Sequence, residues 1–166
     1  MKIAVCPGSF GPITVGHLDL VERAAAIFDQ VVLCVLVNGE KRCRFSLEER
    51  LEMARAALAH IPNARAEACG GLLADFAREL GAAALIKGAR TGVDFDWELQ
   101  MAQINRSLWP QLDTLILPAR PEHLHISSTM VRELLKHGQN LDSCMPAGSL
   151  AVLNRIEKGK GEGNGK

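Results

Sequence analysis

Apolar runs alternate with amphipathic stretches along this chain, and the alternation predicts a β-α fold. Ile3-Ala4-Val5-Cys6 is a run of the kind a buried strand needs, and a loop with Pro7, Gly8, Ser9, Gly11 and Pro12 follows it. Leu18, Val21, Ala24, Ala25 and Phe28 then recur at spacings of three and four, which predicts a helix capped by Thr14. Val31 to Val37 is unbroken and β-branched, as in a central parallel strand covered on both faces. Ser46 with Glu49 makes a capping box for a helix to about Ala59. Further along, strands are predicted at Ala64–Cys69, Ala83–Ile86 and Thr114–Leu117, and helices at Leu72–Leu80 and Asp94–Trp109. A helix capped by Ser127 or Ser128 continues to Lys136, and a terminal helix spans Pro146–Ile156.

About five strand-helix alternations imply a Rossmann-like, doubly wound, five-stranded parallel α/β sheet with helices on both faces. The prediction is one domain over residues 1–157, with a Gly/Lys-rich, disordered tail over 158–166. In such sheets ligands bind beyond the carboxyl ends of the strands, near the point where strand order reverses. Gly8-Ser9, Lys41-Arg42, Gly70 to Leu73, Lys87 to Arg90 and His123 to Thr129 each follow a predicted strand. The fold rule therefore gathers them at one edge.

Composition narrows the function classes. The 166 residues are 48% hydrophobic and 23% charged, with Lys plus Arg and Asp plus Glu at 19 each. That balance gives no general attraction to nucleic acid or to a membrane. Any affinity for anions must come from local placement of charge. The five cysteines are scattered without a C-x-x-C, and the longest apolar run has only strand length. A cytoplasmic protein with reduced thiols is expected.

The first loop and helix supply the candidate chemistry. Opening amides of a helix lack internal partners and carry the positive end of its dipole, so the stretch after Thr14 suits an anion. Gly16 lets a phosphate approach the backbone, and His17 offers a side-chain donor beside it. A second such start is Ile126-Ser127-Ser128-Thr129, with three consecutive hydroxyls and Arg132 one turn on. The chain contains neither a G-x-x-x-x-G-K-[ST] loop nor a G-x-G-x-x-G. His123-x-His125 has no third ligand in sight, so no dedicated metal site is expected.

Gly8-Ser9-Phe10 followed by Gly16-His17 resembles the (S/T)-F-x-P-x-x-x-G-H motif of nucleotidyltransferases related to class I aminoacyl-tRNA synthetases. Phe45 to Arg50, Lys87 to Arg90, Glu98 with Asn105-Arg106, and Ile126 to Thr129 extend the likeness over about Met1 to Ile156. Within that superfamily the chain resembles the phosphopantetheine adenylyltransferases of coenzyme A biosynthesis. The resemblance implies in-line transfer of the adenylyl group of ATP to 4′-phosphopantetheine, with Mg2+ accompanying ATP. It implies His17 as transition-state stabiliser, with Ser9 and Lys41 also catalytic. ATP contacts carried over are Ser9, Phe10, His17, Gly88, Ala89, Arg90, Glu98 and the run His123, Leu124, His125, Ile126, Ser127, Ser128 and Thr129. Phosphopantetheine contacts carried over are Ser9, Lys41, Leu72, Leu73, Lys87 and Asn105. A homo-oligomer, typically a homohexamer, is also implied.

The chain departs from that family's pattern at four places. Gly11 replaces a common aspartate, Ser9 a frequent threonine, and Lys87 the usual arginine, which turns a forked contact into a point charge. His123-Leu124-His125 replaces a segment with an aromatic and a small polar residue near the adenine. Two other readings compete: an adenylyltransferase acting on nicotinamide mononucleotide, and a non-catalytic nucleotide or coenzyme A sensor.

Overall fold

The computed structural model of the protein describes residues 1–37 and 43–163. Five parallel strands, β1 (Ile3–Gly8), β2 (Gln30–Leu36), β3 (Ala64–Cys69), β4 (Ala84–Ala89) and β5 (Asp113–Pro118), form one sheet in the order β3-β2-β1-β4-β5. Six helices connect and follow them: α1 (Val15–Ala25), α2 (Leu47–Leu58), α3 (Leu73–Glu79), α4 (Gly92–Leu108), α5 (Ser128–Lys136) and α6 (Ala147–Gly163). A single 3-10 turn spans Pro121–His123.

Strand composition explains the order. β1 and β2 are buried almost throughout and lie in the interior of the sheet, while β3 and β5, at its edges, mix exposed positions with buried or half-buried ones. Alternate residues feed two separate cores. Ala4, Cys6, Leu33 and Ile86 pack with α1, α2, α5 and α6 on one face. Val5, Val32, Cys34 and Leu85 pack with Ala74 and Ala77 of α3, Phe76 and Trp109 on the other. This is the doubly wound sheet that the apolar pattern predicts.

The helix starts are set locally. Thr14 and Ser46 each close a capping box, and Thr91 and Ser127 each accept the amide three residues on. Two boundaries differ from the sequence expectation. Lys87, Gly88 and Ala89 belong to β4 rather than to the loop after it, because β5 continues to pair with them (Lys87 with Ile116, Gly88 with Leu117, Ala89 with Pro118). The disordered tail expected from Lys158 is corrected over 158–163, which continue α6. There Lys160 Nζ sits 2.9 Å from Glu49 and 5.3 Å from the centre of the Phe45 ring. Those contacts with α2 and with Phe45 just before it offset the poor helix propensity of the glycines.

Candidate active site

The site begins where two strands part. β1 pairs with β2 as far as Gly8, but with β4 only at Ala4 and Val5. Beyond Val5 and Leu85 the two central strands diverge, at the position where the strand order reverses. The crevice so opened is a cavity of ≈ 440 Å³, walled by Cys6, Pro7 and Gly8 on one side and by Lys87 and Gly88 on the other. The starts of α1 and α5 both reach it, through Gly16 and His17 and through Ser127, Ser128 and Thr129. They are also tied together: Ser128 Oγ donates to the Pro12 carbonyl at 2.7 Å, and Arg132 Nη1 donates to the Gly11 carbonyl at 2.7 Å. The expectation that residues 16–17 and 127–129 share one cleft holds.

His17 is held in one tautomer. The Thr14 backbone N–H donates to His17 Nδ1 at 3.0 Å, so the neutral ring carries its hydrogen on Nε2. Phe10 meets the imidazole edge-on, ring centres 5.1 Å apart. Burial first, then the positive charges of Arg90 and Lys87, push the imidazole down from 6.5 to about 4. His17 is therefore a neutral Nε2–H donor throughout the physiological range. Because the folded value lies below the unfolded one, the unfolded chain takes up the proton first as pH falls. The stability this group contributes is complete above pH 6.5 and is lost as the pH falls to about 4. The melting temperature of the protein minus that of His17→Gln is expected to be flat above pH 7 and to drop below pH 6.5. A difference independent of pH would show an ordinary histidine.

Around His17 the charges are arranged in pairs. Lys87 Nζ lies 3.1 Å from Glu98 Oε1 and 3.5 Å from the Pro7 carbonyl. Arg90 bonds Asp94 at 3.2 Å and donates to the Ile126 carbonyl at 3.2 Å, bridging α4 to the start of α5. Asp19, buried on α1, holds Arg120 at 2.8 Å and Arg23 at 3.4 Å near the mouth. Among the described residues no three His, Cys, Asp or Glu side chains cluster as a metal site.

The hydroxyl run at α5 is more committed than its sequence suggests. Ser127 Oγ accepts the Met130 amide and Thr129 Oγ1 accepts from Arg132, so each keeps its own O–H to donate. Ser128 spends its proton on Pro12. The amides of Gly16, Ser128 and Thr129 find no acceptor among the described residues. These are among the donors left for a ligand.

Most of the sequence-derived candidates meet here. Phe10, His17, Lys87, Gly88, Arg90 and Glu98 line the cavity, as do His123, Ile126 and the Ser127–Thr129 run. His123 Nδ1 is buried without a partner, and the His123 Cβ lies 3.6 Å from where a Cβ on Gly16 would stand. Ser9 is exposed on the loop between Gly8 and Phe10, outside the lining. Ala89 turns to a shallow neighbouring depression with Phe95 and Ile116, and Leu124 and His125 are exposed beside the 3-10 turn. Leu72, 56% exposed, precedes α3, Leu73 packs on the α3 core, and Asn105 is buried on α4. Lys41 lies outside the described residues. Sequence reasoning missed Asp19, Arg23, Asp94 and Trp97, all of which line the cavity. Asp19 and Arg23 had a usable signal, an i,i+4 acid-base pair on α1.

A switch-point crevice receiving two helix N-termini with free amides defines a nucleotide-type α/β site, and the family model "Cytidylyltransferase-like" matches residues 5–134. Among curated relatives, the phosphopantetheine adenylyltransferase of Symbiobacterium thermophilum is 50% identical over 143 residues, 86% of this chain and 88% of its own. That of Heliobacterium modesticaldum is 44% identical over 162 residues (98% and 95%), and that of Actinobacillus succinogenes 42% over 158 (95% and 98%). The chain belongs to the phosphopantetheine adenylyltransferase family.

Proposed function

We propose that the protein transfers the adenylyl group of ATP to 4′-phosphopantetheine, giving dephospho-coenzyme A and pyrophosphate. The reading rests on the two helix N-termini that face one crevice, the first of them carrying the His17 Nε2–H. An oxygen of the acceptor phosphate attacks the α-phosphorus of ATP in line as the α–β bridging bond breaks. The electron pair leaves on pyrophosphate. The acceptor is largely dianionic near neutrality, its second pKa being about 6, so no general base is required. Catalysis then consists of positioning and charge stabilisation.

In this mechanism His17 donates from Nε2 to an oxygen on the α-phosphate. The Gly16, Ser128 and Thr129 amides, with the Ser127 and Thr129 hydroxyls, hold the triphosphate. Lys87, already poised against Glu98, faces the acceptor phosphate, and Lys41 is assigned beside it by resemblance. Ser9 and Phe10 are assigned to both substrates by resemblance, Phe10 from within the cavity lining. By resemblance, Gly88, Ala89, Arg90, Glu98 and residues 123–126 are assigned to the nucleoside, and Leu72, Leu73 and Asn105 to the pantetheine arm. Mg2+ would enter with ATP, held by phosphate oxygens and water, where it would neutralise the departing charge.

We assign the protein to the cytoplasm and to a homo-oligomer, a hexamer by resemblance. Its described cysteines are free, and no described helix is long and apolar enough to cross a membrane. On α4, Val93, Phe95, Trp97, Leu99, Ile104 and Leu108 are exposed, and only Asn105 is buried. Exposed apolar side chains along the length of a helix are suited to a second copy, and light scattering reads the assembly directly. The activity is tested by pyrophosphate release from ATP with phosphopantetheine, with nicotinamide mononucleotide, and with no acceptor. Release with phosphopantetheine alone is expected. Release with the mononucleotide instead, or none at all, would refute this assignment.

A further inference from the structure

Among the described non-glycine residues, Phe10 is the one with positive φ, at 46°. That conformation costs a residue with a Cβ about 1–2 kcal/mol, so its surroundings must impose it. Two restraints are on the cavity side. The ring lies over Gly8, where an added Cβ would come within 2.9 Å of it, and its centre is 5.1 Å from that of His17.

The third restraint comes from outside the cavity. Arg50 of α2 is only 4% exposed, and its Nη1 donates both to the Ser9 carbonyl at 2.7 Å and to the Leu36 carbonyl at 3.0 Å. Burying a guanidinium is costly unless it is hydrogen-bonded, and here it bridges the end of β2 to the loop after β1. The Ser9–Phe10 peptide is trans, so the Phe10 N–H lies antiparallel to the Ser9 carbonyl and points away from Arg50. No described residue accepts that N–H. Phe10 lines the cavity and Arg50 does not.

We propose that Arg50 is a positioning residue: by gripping the Ser9 carbonyl it turns the Phe10 amide toward the phosphates of the nucleotide. The same grip seats the Phe10 ring against His17. Amides in a turn with a left-handed residue form a concavity for anions, which is the chemistry this arrangement supplies. The inference rests on the adenylyltransferase reading of the cavity, and it gives Arg50 more than the stapling of two strands.

The test is calorimetric binding of pyrophosphate and, separately, of adenosine to the parent protein, Arg50→Lys and Arg50→Met, with melting temperatures. Losing one aligned donor to a charged acceptor weakens binding about tenfold. Arg50→Met is expected to show that loss for pyrophosphate with adenosine unchanged. Arg50→Lys, whose single ammonium can reach the Ser9 carbonyl, is expected to recover part of it. Unchanged pyrophosphate affinity in folded Arg50→Met, or equal weakening of both ligands, would overturn the proposal. If Arg50→Met does not fold, Arg50→Lys decides alone: pyrophosphate affinity equal to the parent's overturns it, and selective weakening supports it. A parent protein that binds neither ligand would sink the adenylyltransferase reading itself.

Discussion

His17→Ala is expected to lower kcat for pyrophosphate release by about 10²–10³-fold, the usual effect of removing one preorganised donor to a developing oxyanion. ATP affinity is expected to change by less than about fivefold, because the free amides of Gly16, Ser128 and Thr129 remain. Before ATP binds, the imidazole carries no proton it could release. Its Nδ1 already accepts the Thr14 amide, and burial with two nearby cations holds it neutral. The donor is Nε2–H alone. Steady-state kinetics with equilibrium ATP binding separate the outcomes, and parallel loss of affinity and turnover would make His17 a ground-state binder.

Gly148→Ala is expected to destabilise the fold by about 2 kcal/mol, while folded enzyme keeps its turnover. An added Cβ would stand 2.7 Å from the Ala56 carbonyl oxygen and 3.2 Å from its carbon, both backbone atoms of α2. Neither can rotate aside. Nearby, Ser149 Oγ donates to the Met53 carbonyl at 2.7 Å and Leu153 is fully buried, so separating α6 from α2 disturbs several contacts at once. Alanine's better helix propensity returns up to about 1 kcal/mol, which the figure already includes. Urea unfolding measures the change; a more stable variant would mean that the helices can part freely.

The two residues illustrate different degrees of legibility. His17 stood out because glycine and histidine follow a threonine cap after a strand, a local pattern with a local physical cause. Nothing in the sequence around Gly148 separates a close helix crossing from an ordinary break, since the atom it avoids lies on α2. Arg50 is similar. Its place in a capped helix is legible, but its grip on Ser9 depends on how α2 lies against the end of β1.

By itself, the sequence determined the order of elements along the chain, the caps at Thr14 and Ser46, a hydroxyl cap at Ser127 or Ser128, and the doubly wound class. Those properties follow from apolar period and from side chains bonding within three residues. Only the tertiary structure decided that β1 and β4 part after Val5 and Leu85, that Ser128 and Arg132 are committed to the first loop, and that α6 runs past Lys158. Each of these depends on partners distant along the chain, set by sheet register and helix packing, which no local pattern encodes.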